Sequence, residues 1–176
     1  MNTVQTAVYD KVVYELGVIL TDRVRRNLRE NDIPVADVRF EHSGSLHTSG
    51  SESFSLSVTL LPEHGNAAAD ALQRALAETD IAGAPASDLR LAENRYFRYL
   101  SSLSSSVERT NEEYMLRCMM SYLYNAPLTS SGQRLDFFRS KDISDQSREM
   151  MFHGVSSALI DVDKDSLLFE ARDMCD

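Results

Sequence analysis

The sequence predicts an α+β chain: a single domain over residues 1–176, in which an antiparallel sheet of three to five strands is packed on one face by helices. Three observations carry this expectation. Apolar residues recur on a beat of about 3.6 over residues 4–28, which is the mark of a long amphipathic helix. Phe54, Leu56, Val58 and Leu60 alternate with Ser53, Ser55, Ser57 and Thr59, which is the pattern of a strand with one apolar face. Residues 110–125, TNEEYMLRCMMSYLYN, open on the capping-box pair Thr110 and Glu113 and continue with two apolar stripes.

In chain order, Thr3 is the expected cap of a first helix running to about Glu30, with Val4, Val8, Val12 or Val13, Leu16, Leu20, Val24 and Leu28 on its apolar side. Gly17 weakens that helix by about 1 kcal/mol relative to alanine and so marks a kink or a close contact. Val38, Phe40 and His42 then alternate with Arg39, Glu41 and Ser43 as a half-buried strand. The turn-forming residues 43–53 join it to the Phe54 strand as a hairpin with a long tip. Strands apolar on one side alone imply an antiparallel sheet with one wet face.

Past Pro62 and Gly65, residues 66–77 read as a short helix of small residues lying close against the sheet, and residues 80–87 as a loop. Leu89 and Leu91, and then the aromatic run over residues 95–103, read as one or two further strands. In the helix at 110–125, Met115, Cys118, Met119 and Tyr122 form one stripe, and Leu116, Met120 and Leu123 another. A helix apolar around so much of its circumference is normally buried, so it is expected to be the central core helix, stopped near Pro127. A short apolar piece around Leu135, Phe137 and Phe138 follows. Ser144 caps a last helix carrying Met150, Met151, Val155, Ala158 and Leu159, with a strand or helical tail at Leu167, Leu168 and Phe169.

Composition narrows the function. The chain has 43% apolar and 26% charged residues, which is ordinary for a folded protein. No apolar run approaches the roughly 20 residues of a membrane span. The N-terminus lacks the basic start and apolar middle of a secretory leader, so the expected location is the cytoplasm, or a particle assembled in the cytoplasm. A formal charge of −9 opposes direct nucleic-acid binding. Cys118 and Cys175 are the two cysteines, and neither a disulfide nor a zinc site is expected from them.

The candidate chemistry is sparse. Asp161, Asp163 and Asp165 have the opening spacing of a calcium loop, but Ser166 stands where glycine is needed and Arg172 where a bidentate glutamate belongs, so a solvated acidic turn is expected and no metal. The loop at 43–53, with His42 and His47 at hand, lacks the lysine and following helix of a phosphate cradle, and no acid can be assigned to complete a serine triad. No catalytic residue and no cofactor is assigned. His47, Thr48 and Ser49 at the hairpin tip, with Met119, Met150 and Met151 on helix faces, are the candidate partner-binding residues, because methionine faces adapt to protein surfaces. Arg23, Arg25, Arg26 and Arg29 are the candidate anion-binding residues, against the plainer reading of a charged helix end.

The expected function is therefore a non-catalytic assembly or interaction protein that binds protein partners and forms a homo-oligomer. Its plainest versions are a small structural subunit of a larger particle, such as a phage or secretion assembly, or a chaperone-like dimer. One alternative is a small enzyme or anionic-ligand-binding domain using the 43–53 loop, with His42 or His47 as base. Another is an acidic mimic of nucleic acid that blocks a basic partner. Two findings would overturn the assembly role and point to a reaction instead: Met115, Met119 and Leu123 standing in water on an isolated monomer, or a deep pocket in which His42 and His47 converge.

Overall fold

The computed structural model describes residues 3–44, 52–105, 111–124 and 128–160. Among these the chain is mostly helical, with a single two-stranded antiparallel sheet. Helix α1 (Thr3–Glu30) leads into strands β1 (Asp37–Gly44) and β2 (Glu52–Thr59), and a 3₁₀ turn at Pro62–His64 opens α2 (Gly65–Ala82). Then come α3 (Ala86–Ser105), α4 (Asn111–Tyr124), α5 (Ser131–Arg139) and α6 (Asp145–Leu159).

α1 is the axis of the fold. Val12, Val13, Leu16, Ile19, Leu20, Val24 and Leu28 are all buried on it, and α2, α3, α6 and β1 pack around it. It starts and ends where its apolar beat predicts, although its cap position falls outside the described residues. At its far end the Ile33 amide donates to the Leu28 carbonyl at 3.0 Å, across Asp32 at φ 55°, a left-handed conformation that Asp tolerates better than most residues. Gly17 marks a close contact: the Phe40 ring of β1 lies against it, in the space a Cβ would fill.

The hairpin has the expected alternation, with Val38 opposite Val58, Phe40 opposite Leu56 and His42 opposite Phe54. Val38 is buried, and Phe40, Leu56 and Val58 pack against the main core. α2 is longer than predicted, taking in residues 80–82 of the expected loop at 80–87, whose last two residues open α3. Its buried Ala68, Ala71, Ala75 and Thr79 let it approach α1 and α6 closely, rather than the sheet.

Two expectations fail, and with the first goes the sheet of three to five strands, which has two among the described residues. The strands expected over residues 89–103 form α3, because Leu89, Ala92, Tyr96 and Leu100, spaced by three and four, make one buried helical face. The aromatic residues between them imitate strand alternation. The short apolar piece at 135–138 is α5, whose Ser130 cap accepts from the Gln133 amide at 3.1 Å while the Ser130 amide donates to Gln133 Oε1 at 2.9 Å.

The second failure is the larger. α4 begins and ends as predicted, but it is not the core helix: Tyr114, Met115, Leu116, Met119, Tyr122 and Leu123 are all exposed. Periodicity tells which residues share a face and is silent on whether that face is covered. The Thr110 and Glu113 capping box, the acidic turn at 161–166 and the tail at 167–169 lie outside what the structure describes.

α6 forms as expected, with Ser144 Oγ accepting from the Ser147 amide at 3.3 Å. Its deepest residues are Phe152 and Ser156, whereas Met150 and Ala158 point outward. A second, smaller core joins Ala7 of α1 to Tyr96 and Leu100 of α3 and to Leu135 and Phe138 of α5.

Candidate functional site

Successive residues of an α-helix turn by about 100°, so the described side chains of α4 can be placed around its axis. Tyr122, Met115, Met119, Leu123 and Leu116 follow one another, in that order, over roughly 120°. That is the width of the stripe a helix ordinarily turns to its core. Here it faces solvent, at 89% exposure for Tyr122, 70% for Met115, 50% for Met119, 56% for Leu123 and 53% for Leu116. Off that stripe Tyr114 is also exposed, at 65%, while Cys118, Met120 and Ser121 are half-buried. The helix thus presents its apolar side outward, and Glu112 near the first turn is the one charged side chain described on the stripe.

A second feature is an open groove of about 740 Å³ between α1, β1, α3 and the start of α5. Its walls carry Tyr14, Phe40, Tyr96, Tyr99 and Leu103, with Tyr14 stacked on Tyr99 at 5.3 Å between ring centres. Arg134 crosses to Asp10 at 2.7 Å and Arg95 is paired with Asp22 at 2.9 Å, so neither arginine faces the groove as an unpaired charge. Among the described residues the buried Tyr96 hydroxyl has no partner in hydrogen-bond geometry. Burial pushes its phenol up to about 12, with the Arg134 charge opposing the rise.

A third is a chain of charges running inward between α1, α3 and α6. Lys11 and Glu15, both almost wholly buried, are paired one helical turn apart. Lys11 also reaches Glu93 at 3.2 Å, and Arg148 joins Glu93 at 3.3 Å and Asp145 at 3.2 Å. Burial raises the Glu15 carboxyl above its ordinary value even with Lys11 pulling it down. Each carboxylate in the chain has a cation, which is the arrangement that keeps buried ions tolerable, and the network ties three helices together.

The residues singled out in the sequence are scattered across these features. His47, Thr48 and Ser49 lie outside the described residues. Met119 is on the outward stripe of α4, whereas Met150 is exposed and Met151 half-buried on α6. Arg23 donates to Thr79 Oγ1 and, at 2.7 Å, to the Gly83 carbonyl, tying α1 to the end of α2. Arg25 donates to the Val38 carbonyl at 3.1 Å and lies 3.6 Å from Asp37. Arg25 and Arg29 line a shallow depression beside Asp32 and Val35, and Arg26 is exposed. His42 borders the groove, stacked on Phe54 at 4.6 Å. Among the described residues no group of three or more His, Cys, Asp and Glu side chains is placed to hold a metal ion, and no helix is long and apolar enough to cross a membrane.

The groove residues Tyr14, Tyr96, Tyr99 and Arg134 carried no signal in the sequence, since they meet from three separate elements. The α4 residues did, and the inference drawn from them was wrong about their surroundings. No protein-family model, no curated protein and no solved structure matches the chain.

Proposed function

We propose that the chain is a non-catalytic assembly or interaction protein that docks a protein partner on the outward stripe of α4, in the cytoplasm or in a particle assembled there. A small structural subunit of a larger particle and a chaperone-like dimer are the two plainest forms of this reading. The observation that carries it is the orientation of α4: five large apolar side chains form a helix stripe with water where a core should be. A contiguous apolar patch of several hundred Å² matches the largest patch on an ordinary monomer, and patches of that size are often contact surfaces.

This exposure meets the condition that would overturn the assembly role, a condition resting on the premise that the helix at 110–125 holds the core together. α1 performs that task instead, so the premise falls and the exposed stripe becomes a surface in need of cover. The second condition turns on His47 and lies outside the described residues.

The test compares the wild-type chain with Met115→Asp/Met119→Asp in capturing partners from the native host, with circular dichroism confirming that both are folded. Loss of the captured partner in the variant supports docking on α4. Undiminished capture contradicts it.

The groove supports a second reading, a small ligand-binding or enzymatic domain, because it is a cleft of ligand size lined by Tyr14, Tyr96 and Tyr99 with His42 at its rim. Turnover or binding of a small molecule that is lost in His42→Ala would favour it over docking.

A further inference from the structure

We propose, resting on the docking reading above, that the partner covering α4 is a second copy of this chain, with the two α4 helices paired antiparallel across a two-fold axis. Self-pairing requires a surface complementary to itself, and the stripe qualifies. Leu116, Met119 and Leu123 are spaced by three and four, as are Met115, Met119 and Tyr122, which is the spacing that seats one helix against another at a shallow crossing angle.

Charge selects the antiparallel arrangement. Each copy carries −9, so association has to occur where local charge is lowest, and the described part of the stripe carries Glu112 alone. Glu112 and Leu123 are about 17 Å apart along the helix. Antiparallel pairing sets the Glu112 of each copy beside the Leu123 end of the other, whereas parallel pairing would place the two carboxylates together.

The area is adequate for a weak dimer. At roughly 150 Å² for each large side chain when fully exposed, the five residues of the stripe offer on the order of 500 Å². Two such faces come to about 1,000 Å², the size of a weak, transient contact rather than a permanent one. The dimer should therefore form in the micromolar range, and added salt, by screening the like net charges, should tighten it.

The experiment is sedimentation equilibrium of the full chain across two decades of concentration around the micromolar range. The wild type should pass from one to two chain masses, and Met115→Asp/Met119→Asp should stay at one. A second variant does not depend on tolerance of buried charge: Met119→Cys in a Cys118→Ser/Cys175→Ser background should cross-link two copies under mild oxidation. A wild type that holds one chain mass throughout, or an aspartate variant that still dimerises, overturns the proposal. The docking reading survives that result if the aspartate variant loses a heterologous partner that the monomeric wild type captures, and falls with it if capture is undiminished.

Discussion

Gly17 of α1 lies directly beneath the ring of Phe40 on β1, so the helix and the hairpin meet where the helix has no side chain. A methyl group at position 17 would overlap the ring and force it aside. Gly17→Ala should therefore destabilise the chain by about 1–3 kcal/mol in urea, even though alanine is the better helix former by about 1 kcal/mol. Combined with Phe40→Ala the penalty should shrink well below the sum of the two single changes. A neutral or stabilising Gly17→Ala would mean that the contact is not tight.

The buried charges of α1 give a sharper contrast. Lys11→Met leaves Glu15 and Glu93 without the cation between them, and should cost roughly 3–5 kcal/mol, since an orphaned buried charge is penalised far more than a missing pair. Lys11→Met/Glu15→Met should recover most of that loss, because Glu93 keeps Arg148. Equal losses in the single and double variants would show that the pair matters little.

Glu15 also sets a pH dependence. Its folded carboxyl is raised, chiefly by burial, above an ordinary value near 4.5. A raised folded value means that the stabilising contribution is complete below the ordinary value and is lost as pH rises through the folded one. Glu15→Gln removes that titration. Its stability relative to wild type should climb from pH 4.5 upward and level off beyond the folded value, measured by urea melts at a series of pH values. A difference constant with pH, or falling, contradicts the assignment.

Tyr96 carries the same sign at the alkaline end. Its phenol rises from an ordinary 10.0 to about 12 in the fold, so wild-type stability should fall between those values as the unfolded chain ionises first. Tyr96→Phe should lose that decline and, by deleting an unpartnered buried hydroxyl, should be at least as stable near neutrality. A loss of more than about 1 kcal/mol would reveal a hydrogen bond worth that much.

Much of this fold can be read from the letters wherever the information is local. The beat of α1, the alternation of the hairpin and the Ser144 cap of α6 each sit within one element and each is found in place. α5 was also legible in principle, because Ser130 and Gln133 are a capping pair of the same kind as Thr110 and Glu113. α3 was not recognised because Tyr96, Phe97, Tyr99 and Leu100 satisfy strand preference and alternation over a short window, while the Leu89, Ala92, Tyr96, Leu100 face emerges over a longer one that includes a small residue. The groove and the charge chain could not be read at all, since Lys11 and Arg148 meet at Glu93 from distant parts of the sequence. The placement of α4 depends on what lies opposite it, which no pattern within the helix records.

The central claim, that the apolar stripe of α4 meets water on the single chain and is covered on association, is tested most directly by methionine oxidation. Dilute and concentrated samples are treated with limiting peroxide, and Met115 and Met119 are followed by mass spectrometry. The account predicts oxidation of both at near the rate of free methionine in the dilute chain, and marked protection once partner or concentration drives assembly. Protection of both residues at high dilution would contradict it, because the stripe would then be buried within a single chain.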